Sequence, residues 1–270
     1  MSKKIFLSAD IEGTTGIAHW NETDTVKGAG DGYAHFTTQM TREVAAACEA
    51  AIRAGAEDIL VKDAHDSARN INPEMLPELA RIIRGWACEP QVMMSGLDKS
   101  FDGVIFTGYH SPAYTNSNPL AHTMTTSLIK ATLNGELLSE LHINALIASM
   151  HGVPVYCATG DKGLMEWLNT KNPNIETVAV NEGIGNASNS IHPNLALKRI
   201  DEAVARAFKK NPADMMFPMP DHYDIAISYK QHYTAQRMSF YPGAWQIDAH
   251  TIGYKSDNYD DVLRFFLFVL

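Results

Sequence analysis

Apolar runs of strand length alternate along this chain with stretches whose apolar residues return at helical spacing. Residues 3–9 (KKIFLSA) read as a buried strand. Phe36, Met40, Val44, Cys48 and Ile52 then line one helix face, and Gly55 follows as a residue suited to the left-handed turn after a helix. "EDILVKDAH" predicts a second strand ending at Asp63 to His65, and a proline-punctuated segment around Met75 to Ile83 predicts a helix. Strand signals return in "PQVMMSG" and in "FDGVIFTGYH".

From Met124 to Leu138 the pattern changes. "MTTSLIKATLNGELL" is rich in β-formers and carries Asn134-Gly135, the strongest short hairpin signal. "SELHINALIASMHG" then predicts a helix stopping at Gly152, "VPVYCATGD" a strand, and "NLALKRIDEAVARAFKK" an amphipathic helix whose basic end suits a helix C-terminus. "DIAISYK" predicts a late strand, and the closing "FFLFVL" the end of a packed helix. The alternation defines an α/β class: a mainly parallel sheet flanked by helices, with a β-hairpin insertion and a smaller mixed α/β C-terminal region. Three prolines in "NPADMMFPMPDHYD" (211–224) mark the best boundary. It divides a core, 1–211, from a C-terminal segment, 212–270, expected to pack on that core rather than fold independently.

Composition narrows the possibilities. At 270 residues and 45% hydrophobic, the chain can bury a full core without disulfide or metal staples. A net charge of −9 with no basic run argues against nucleic-acid binding. No apolar stretch approaches the roughly 20 residues that span a bilayer, and the N-terminus lacks the form of a signal peptide. Cys48, Cys88 and Cys157 are widely spaced and lie in apolar stretches, so each is expected to be a buried, reduced thiol in a cytoplasmic protein.

The candidate chemistry lies at strand ends, where open parallel sheets bind ligands. Asp10 and Glu12 follow the first strand, His65 the second, and His110 the strand in "FDGVIFTGYH". Residues two apart on extended chain project to the same side, as Asp10 and Glu12 would, and likewise Asp63 and His65. Singly, each has an ordinary alternative: a strand-end Asp usually caps the next loop, and a loop His usually makes a hydrogen bond. Carboxylates and imidazoles converging on one crevice suit a divalent metal, with zinc the best match. A metal shared through Asp10 would relieve the repulsion between paired carboxylates. His19, His142, His151 and His192 find no partner in the sequence, and Met93, Met94, Met215 and Met216 read as core.

"SADIEGTTG", "VKDAHDS", "FTGYHSPA", "LAHTM", "LSELHINALIASMHGVPV", "TVAVNEGIG" and "SIHPNLA" together resemble, in order, the zinc-dependent D-aminopeptidases of dipeptide-transport operons. The resemblance runs to about Phe208. It implies two zinc ions per subunit, with Asp10 bridging, Glu12 and His65 on one side, and His110 and Glu140 on the other. It also implies His122 as the catalytic histidine, and strand-end reasoning does not reach Glu140. On a helix Asn144 would lie one turn beyond Glu140 and could orient it. The family further implies a homo-oligomer, a decamer of two pentameric rings enclosing the sites, with the C-terminal segment and the hairpin as possible subunit contacts. Two departures stand out. The loop "SPAYTNSNPLAH", expected to line the substrate entrance, is a residue longer than expected, and Asn181 and Asn186 replace expected basic residues.

The expected activity is removal of the N-terminal residue from short peptides, D-alanyl peptides above all, by metal-activated water, with His122 transferring protons. Rival readings are a related metal-dependent amidase or L-aminopeptidase, a phosphoesterase, and a metal-free ring-forming binding protein.

Overall fold

The computed structural model describes residues 3–24 and 31–270, with the side chain of residue 31 excluded. Its elements run in the order β1 (Lys3–Ala9), α1 (Asp31–Arg53), β2 (Ala56–Asp63), β3 (Ala80–Ile83), β4 (Gly103–Tyr109), β5 (Leu128–Leu133), β6 (Glu136–Leu137) and α2 (Glu140–Met150). There follow β7 (Val155–Asp161), α3 (Lys162–Lys171), β8 (Glu176–Ile184), β9 (Ala187–Ser190) and α4 (Pro193–Ala207). The chain closes with β10 (Tyr223–Tyr229), α5 (His232–Met238), β11 (Trp245–Gln246), β12 (Thr251–Ser256) and α6 (Tyr259–Val269).

Seven strands form one sheet in the order β3-β2-β1-β4-β7-β8-β9. All its pairs are parallel except β8 with β9, which turn back on each other. The central strands are apolar on both faces, as helices on a parallel sheet require. Ile5, Phe6, Leu7, Val104, Ile105 and Phe106 are all buried. Burying each such side chain contributes about 1.5–3 kcal/mol. A second, antiparallel sheet in the order β11-β12-β10-β5-β6 takes strands from both sides of residue 211. Asn134 and Gly135, at φ 51° and 83°, make the tight turn between β5 and β6. Such a turn needs left-handed backbone at both positions, which Asn and Gly adopt most readily.

Three expectations from the pattern change in the structure. Ala80–Ile83 is an edge strand on β2 rather than a helix, preceded by a short 3-10 turn at Pro73–Met75. Pro77 has no N–H to continue a helix, and the run that follows finds parallel pairing instead. Val92–Met94, expected extended, is a 3-10 turn whose first residue has φ 43°. Cys48 and Cys157 are buried, with burial pushing both thiols up to about 12, but Cys88 is exposed in an irregular loop at φ 56°. Periodicity does not place α3, β8 or β9. Among the described residues no helix is long and apolar enough to cross a membrane.

Candidate metal centre and active site

The register of the central strands creates the site. Ala9 pairs with Asp63 on β2 and with Thr107 on β4, so β1 ends between two neighbours that end beside it. Pairing continues past the strand ends, Asp10 N–H donating to Thr107 O at 2.9 Å and Ala64 N–H to Ala9 O at 2.9 Å. The three following segments therefore leave the sheet together, carrying Asp10 and Glu12, His65, and His110. Gly13 completes the packing, its N–H donating to Gly108 O at 2.8 Å. A Cβ there would lie 1.9 Å from Tyr109 O, so only glycine lets the chain pass this close.

All six candidate residues gather in one cleft. His65 Nδ1 lies 3.3 Å from Asp10 Oδ1 and 3.1 Å from Glu12 Oε2. His110 Nε2 lies 3.4 Å from Asp10 Oδ2 and 3.6 Å from Glu140 Oε1. His122 Nε2 lies 3.5 Å from Glu140 Oε1 and 3.9 Å from Glu12 Oε1, and its ring stacks on His110 with centroids 4.3 Å apart. Asp10, Glu12, His65, His110 and Glu140 are buried and His122 is half-buried. Two triads able to hold a metal share Asp10: Asp10, Glu12 and His65, and Asp10, His110 and Glu140. A third joins Glu12, His110 and His122.

Each imidazole is fixed by its far nitrogen. His65 Nε2 donates to Thr23 O at 2.7 Å, His110 Nδ1 to Ser111 O at 2.9 Å, and His122 Nδ1 to Leu120 O at 2.9 Å. A carbonyl can only accept, so the proton of each neutral ring sits on that far nitrogen. The lone pair of the other nitrogen then faces carboxylates, an arrangement relieved by a cation between them or, without metal, by a second ring proton. Asp10 Oδ2, Glu12 Oε2 and His110 Nε2 are buried without a hydrogen-bond partner among the described residues. Donor chemistry, orphaned atoms and anchored far nitrogens all fit a divalent metal.

The electrostatics without metal tell the same story. Burial, then the Glu12 charge, push Asp10 well above the usual carboxylate range. Burial also pushes Glu12 up, but His65 foremost, then His110 and His122, outweigh it and hold Glu12 well below its ordinary value. Burial lowers His65 and His110, yet the carboxylates around them (Glu12 first for His65, Glu140 first for His110) raise both well above the imidazole range. Burial raises Glu140, and His110 then His122 bring it down. His122 alone of the three histidines is lowered, by burial and then by the His110 charge.

Glu140 opens α2, where Ser139 caps the helix by accepting from His142 N–H at 3.0 Å. Its Oε1 accepts the Met124 N–H at 2.6 Å. Asn144 does not orient Glu140. Its amide donates to Tyr109 Oη at 2.9 Å and to Met93 Sδ at 3.3 Å, and Tyr109 Oη meets Ser8 Oγ at 2.7 Å. Asp63 also turns away, accepting from Asn70 N–H at 2.6 Å and Ile71 N–H at 2.8 Å to brace the loop that carries His65. Asp161 plays the corresponding part for His110, accepting Ser111 N–H at 2.5 Å and Ser111 Oγ–H at 2.6 Å. No local pattern announces Tyr109, Met124 or Asp161, because their partners lie far away in sequence.

The cleft holds a cavity of about 400 Å³, walled by Trp20, Asp66, Trp86, Val92 and Met124 around the metal-type residues. Trp86 is fixed by its Nε1–H donating to Asp66 O at 2.7 Å and by Lys62 Nζ 4.3 Å from its ring. The loop at 111–121, expected at the entrance, contributes nothing to this lining. It packs inward, Asn118 donating to Glu12 O at 3.1 Å and Ser117 O accepting from Gly183 N–H at 2.7 Å. Asn181 is buried and donates to Thr14 O at 3.2 Å, tying β8 to the segment behind Glu12, while Asn186 is exposed in the β8–β9 turn. His19 and His192 accept N–H bonds as helix caps, from Asn21 and Asn194, and Met93 lines the cleft as well as the core.

A parallel sheet with imidazoles and carboxylates converging beyond its central strands is the frame of a metal-dependent hydrolase. The D-aminopeptidase family of peptidases matches residues 3–268, and the chain belongs to that family. It is 28% identical over 241 residues to the D-aminopeptidase of Bacillus subtilis (strain 168), covering 89% of this chain and 86% of that protein. Among solved structures it is similar to the Zn-dependent D-aminopeptidase DppA from Bacillus subtilis, a self-compartmentalizing protease. That similarity has a TM-score of 0.89 at 26% identity and covers 98% of this chain and 96% of the other. The family is the one the ordered motifs resembled. Its match reaches through α6, well past Phe208 where the motifs end.

Proposed function

We propose that this chain is a zinc-dependent D-aminopeptidase holding two metal ions. One would rest on Glu12 and His65, the other on His110 and Glu140, with Asp10 between them. One observation carries the reading: three backbone-anchored imidazoles direct their free nitrogens at carboxylates 3.1–3.9 Å away, with unpaired buried atoms among them. The names of the relatives support the metal and the substrate class. Bound there, zinc would supply Lewis acidity that activates water and polarises a peptide carbonyl at neutral pH.

The chain's own residues do the rest. His122, lowered foremost by burial, exposes a lone pair at Nε2, since Nδ1 carries the proton given to Leu120 O. It is placed to take a proton at Nε2 and return it to the leaving amine. Trp20 packs edge-on against it, with ring centroids 5.2 Å apart, and limits its motion. Trp86 and the Val92–Met94 turn close the cleft around a short substrate.

The assignment of 1–211 as metal-binding core with 212–270 packed upon it is supported by the pairing of β10 with β5. Assembly into a decamer of two pentameric rings is supported by the self-compartmentalizing relative and by exposed Phe240, Trp245, Ile247 and Phe268 in the last segment. Unpaired thiols at all three cysteines support a cytoplasmic setting.

The test is metal content per chain by mass spectrometry, beside Asp10→Ala, together with hydrolysis of D-Ala-D-Ala, L-Ala-L-Ala, a simple amide and p-nitrophenyl phosphate. The expected result is about two zinc ions per chain, falling sharply in the variant, with the D-dipeptide cleaved fastest. A parent that neither contains zinc nor takes it up on titration overturns the assignment.

A further inference from the structure

Beside the metal cleft lies a second cavity of about 150 Å³. Val92, Met93 and Met124 line both, so the two spaces adjoin at these residues. The far wall is Ile143 and Ile147 from α2 and Leu263 and Phe266 from α6. The Tyr259 Oη–H bond to Ile143 O, at 2.9 Å, pins α6 against α2. Two polar residues also line it, and both are engaged elsewhere: Asn144 donates to Tyr109 and Met93, and Gln91 Oε1 bonds His151 Nε2 at 2.9 Å. The interior that remains is apolar, and its volume is about that of a cavity that holds a benzene ring.

Two of the shared wall residues have left-handed backbone, Val92 at φ 43° and Met124 at φ 59°. For a β-branched residue this is a genuine outlier, and such strain persists where the surroundings impose it, most often beside functional sites. Met124 is also one hydrogen bond from Glu140, through its own N–H. The wall of the apolar cavity is thereby tied to a residue of the metal centre.

Taken with the aminopeptidase reading, on which it rests, the geometry points to a side-chain subsite: the apolar cavity receives the side chain of the substrate's N-terminal residue, and it selects leucine- and phenylalanine-sized apolar groups over alanine. The N-terminal residue is the one assigned because, on the aminopeptidase reading, its amine and its carbonyl are the groups the metal centre would hold. Its side chain branches from the carbon between them and would face the Val92, Met93 and Met124 wall that the cleft shares with the cavity. Val92, Met93 and Met124 are then the specificity-determining residues, and α6 has a role in the site that its place at the end of the chain does not suggest.

Two measurements on the zinc-loaded enzyme test this. The first is calorimetric affinity for the products D-phenylalanine and D-alanine, and the second is kcat/KM for D-Phe-D-Ala against D-Ala-D-Ala. The expected preference for the phenylalanyl member is about tenfold or more in each, the range an apolar pocket delivers for added hydrocarbon. Ile147→Phe fills the cavity from α2, and Leu267→Trp fills it from a partly exposed position on α6 that tolerates bulk. In either variant, shown to be folded by circular dichroism, the preference should collapse to near parity. Equal affinities in the parent, or a preference intact in a folded variant, overturn the subsite. If no dipeptide is cleaved, the aminopeptidase reading fails, while the ratio of product affinities still decides the subsite.

Discussion

Replacing Gly13 with alanine tests how tightly the metal centre depends on backbone contact. The added Cβ would lie 1.9 Å from Tyr109 O and 2.6 Å from Tyr109 C, whereas ordinary van der Waals contact begins near 3.4 Å. Segments must therefore part by about 1.5 Å, the difference between the two oxygen distances. Both sides of the contact carry site residues, Glu12 before Gly13 and His110 after Tyr109. Metal–ligand distances tolerate only about 0.2 Å, and a misplacement of about 1 Å costs roughly a hundredfold in rate. Gly13→Ala should thus lose at least that factor in kcat/KM and bind zinc substoichiometrically. Overpacking should also lower stability by about 1–3 kcal/mol. Gly32→Ala is the control, because a Cβ there would make ordinary contacts with Glu22 Cγ at 3.8 Å and Asn21 O at 3.9 Å. It should leave zinc content and turnover at the parent's level. Titrating both variants with zinc and following D-Ala-D-Ala hydrolysis decides the matter. A Gly13→Ala protein with the parent's zinc content and turnover refutes the reasoning.

Three further outcomes follow from the buried charges and the metal. His142 is buried against Trp167 and Phe217, and burial, opposed by Glu136, brings it down to about 4 from an ordinary 6.5. Between those values the unfolded chain binds a proton that the folded chain does not, so the stability is complete above about pH 6.5 and is lost as pH falls towards 4. At about 1.4 kcal/mol per pH unit, the loss is about 3 kcal/mol. Urea unfolding from pH 7 to 4 should show His142→Leu spared that amount, and parallel curves for parent and variant would exclude it. Chelation should lower the melting temperature, because metal bound only to the native state contributes about 2.7 kcal/mol at a hundred times its Kd. His65 and His110, raised by their carboxylates, hold protons when the metal is gone, so zinc affinity should increase as pH rises. Calorimetric zinc titrations at several pH values check this, and a pH-independent affinity would count against these ligands.

The sequence by itself pointed to the parallel core, the helices that the structure places at 31–53, 140–150 and 193–207, the Asn134-Gly135 hairpin, and four of the six residues proposed for the site. These features rest on local rules: strand length, helical period, turn chemistry, and the tendency of strand ends in one sheet to converge. Glu140 and His122 required the family resemblance, because a helix start and an irregular loop reach the cleft from outside the strand pattern. The structure alone decided the 80–83 strand and the 92–94 turn, where parallel pairing and a left-handed valine outweigh local propensity. It also decided that Asn144 holds Tyr109 rather than Glu140, and that α6 closes an apolar space behind Met124. These outcomes depend on contacts between residues tens of positions apart. A local pattern specifies which face of an element is buried, whereas the partner on that face is chosen only when the whole chain has packed.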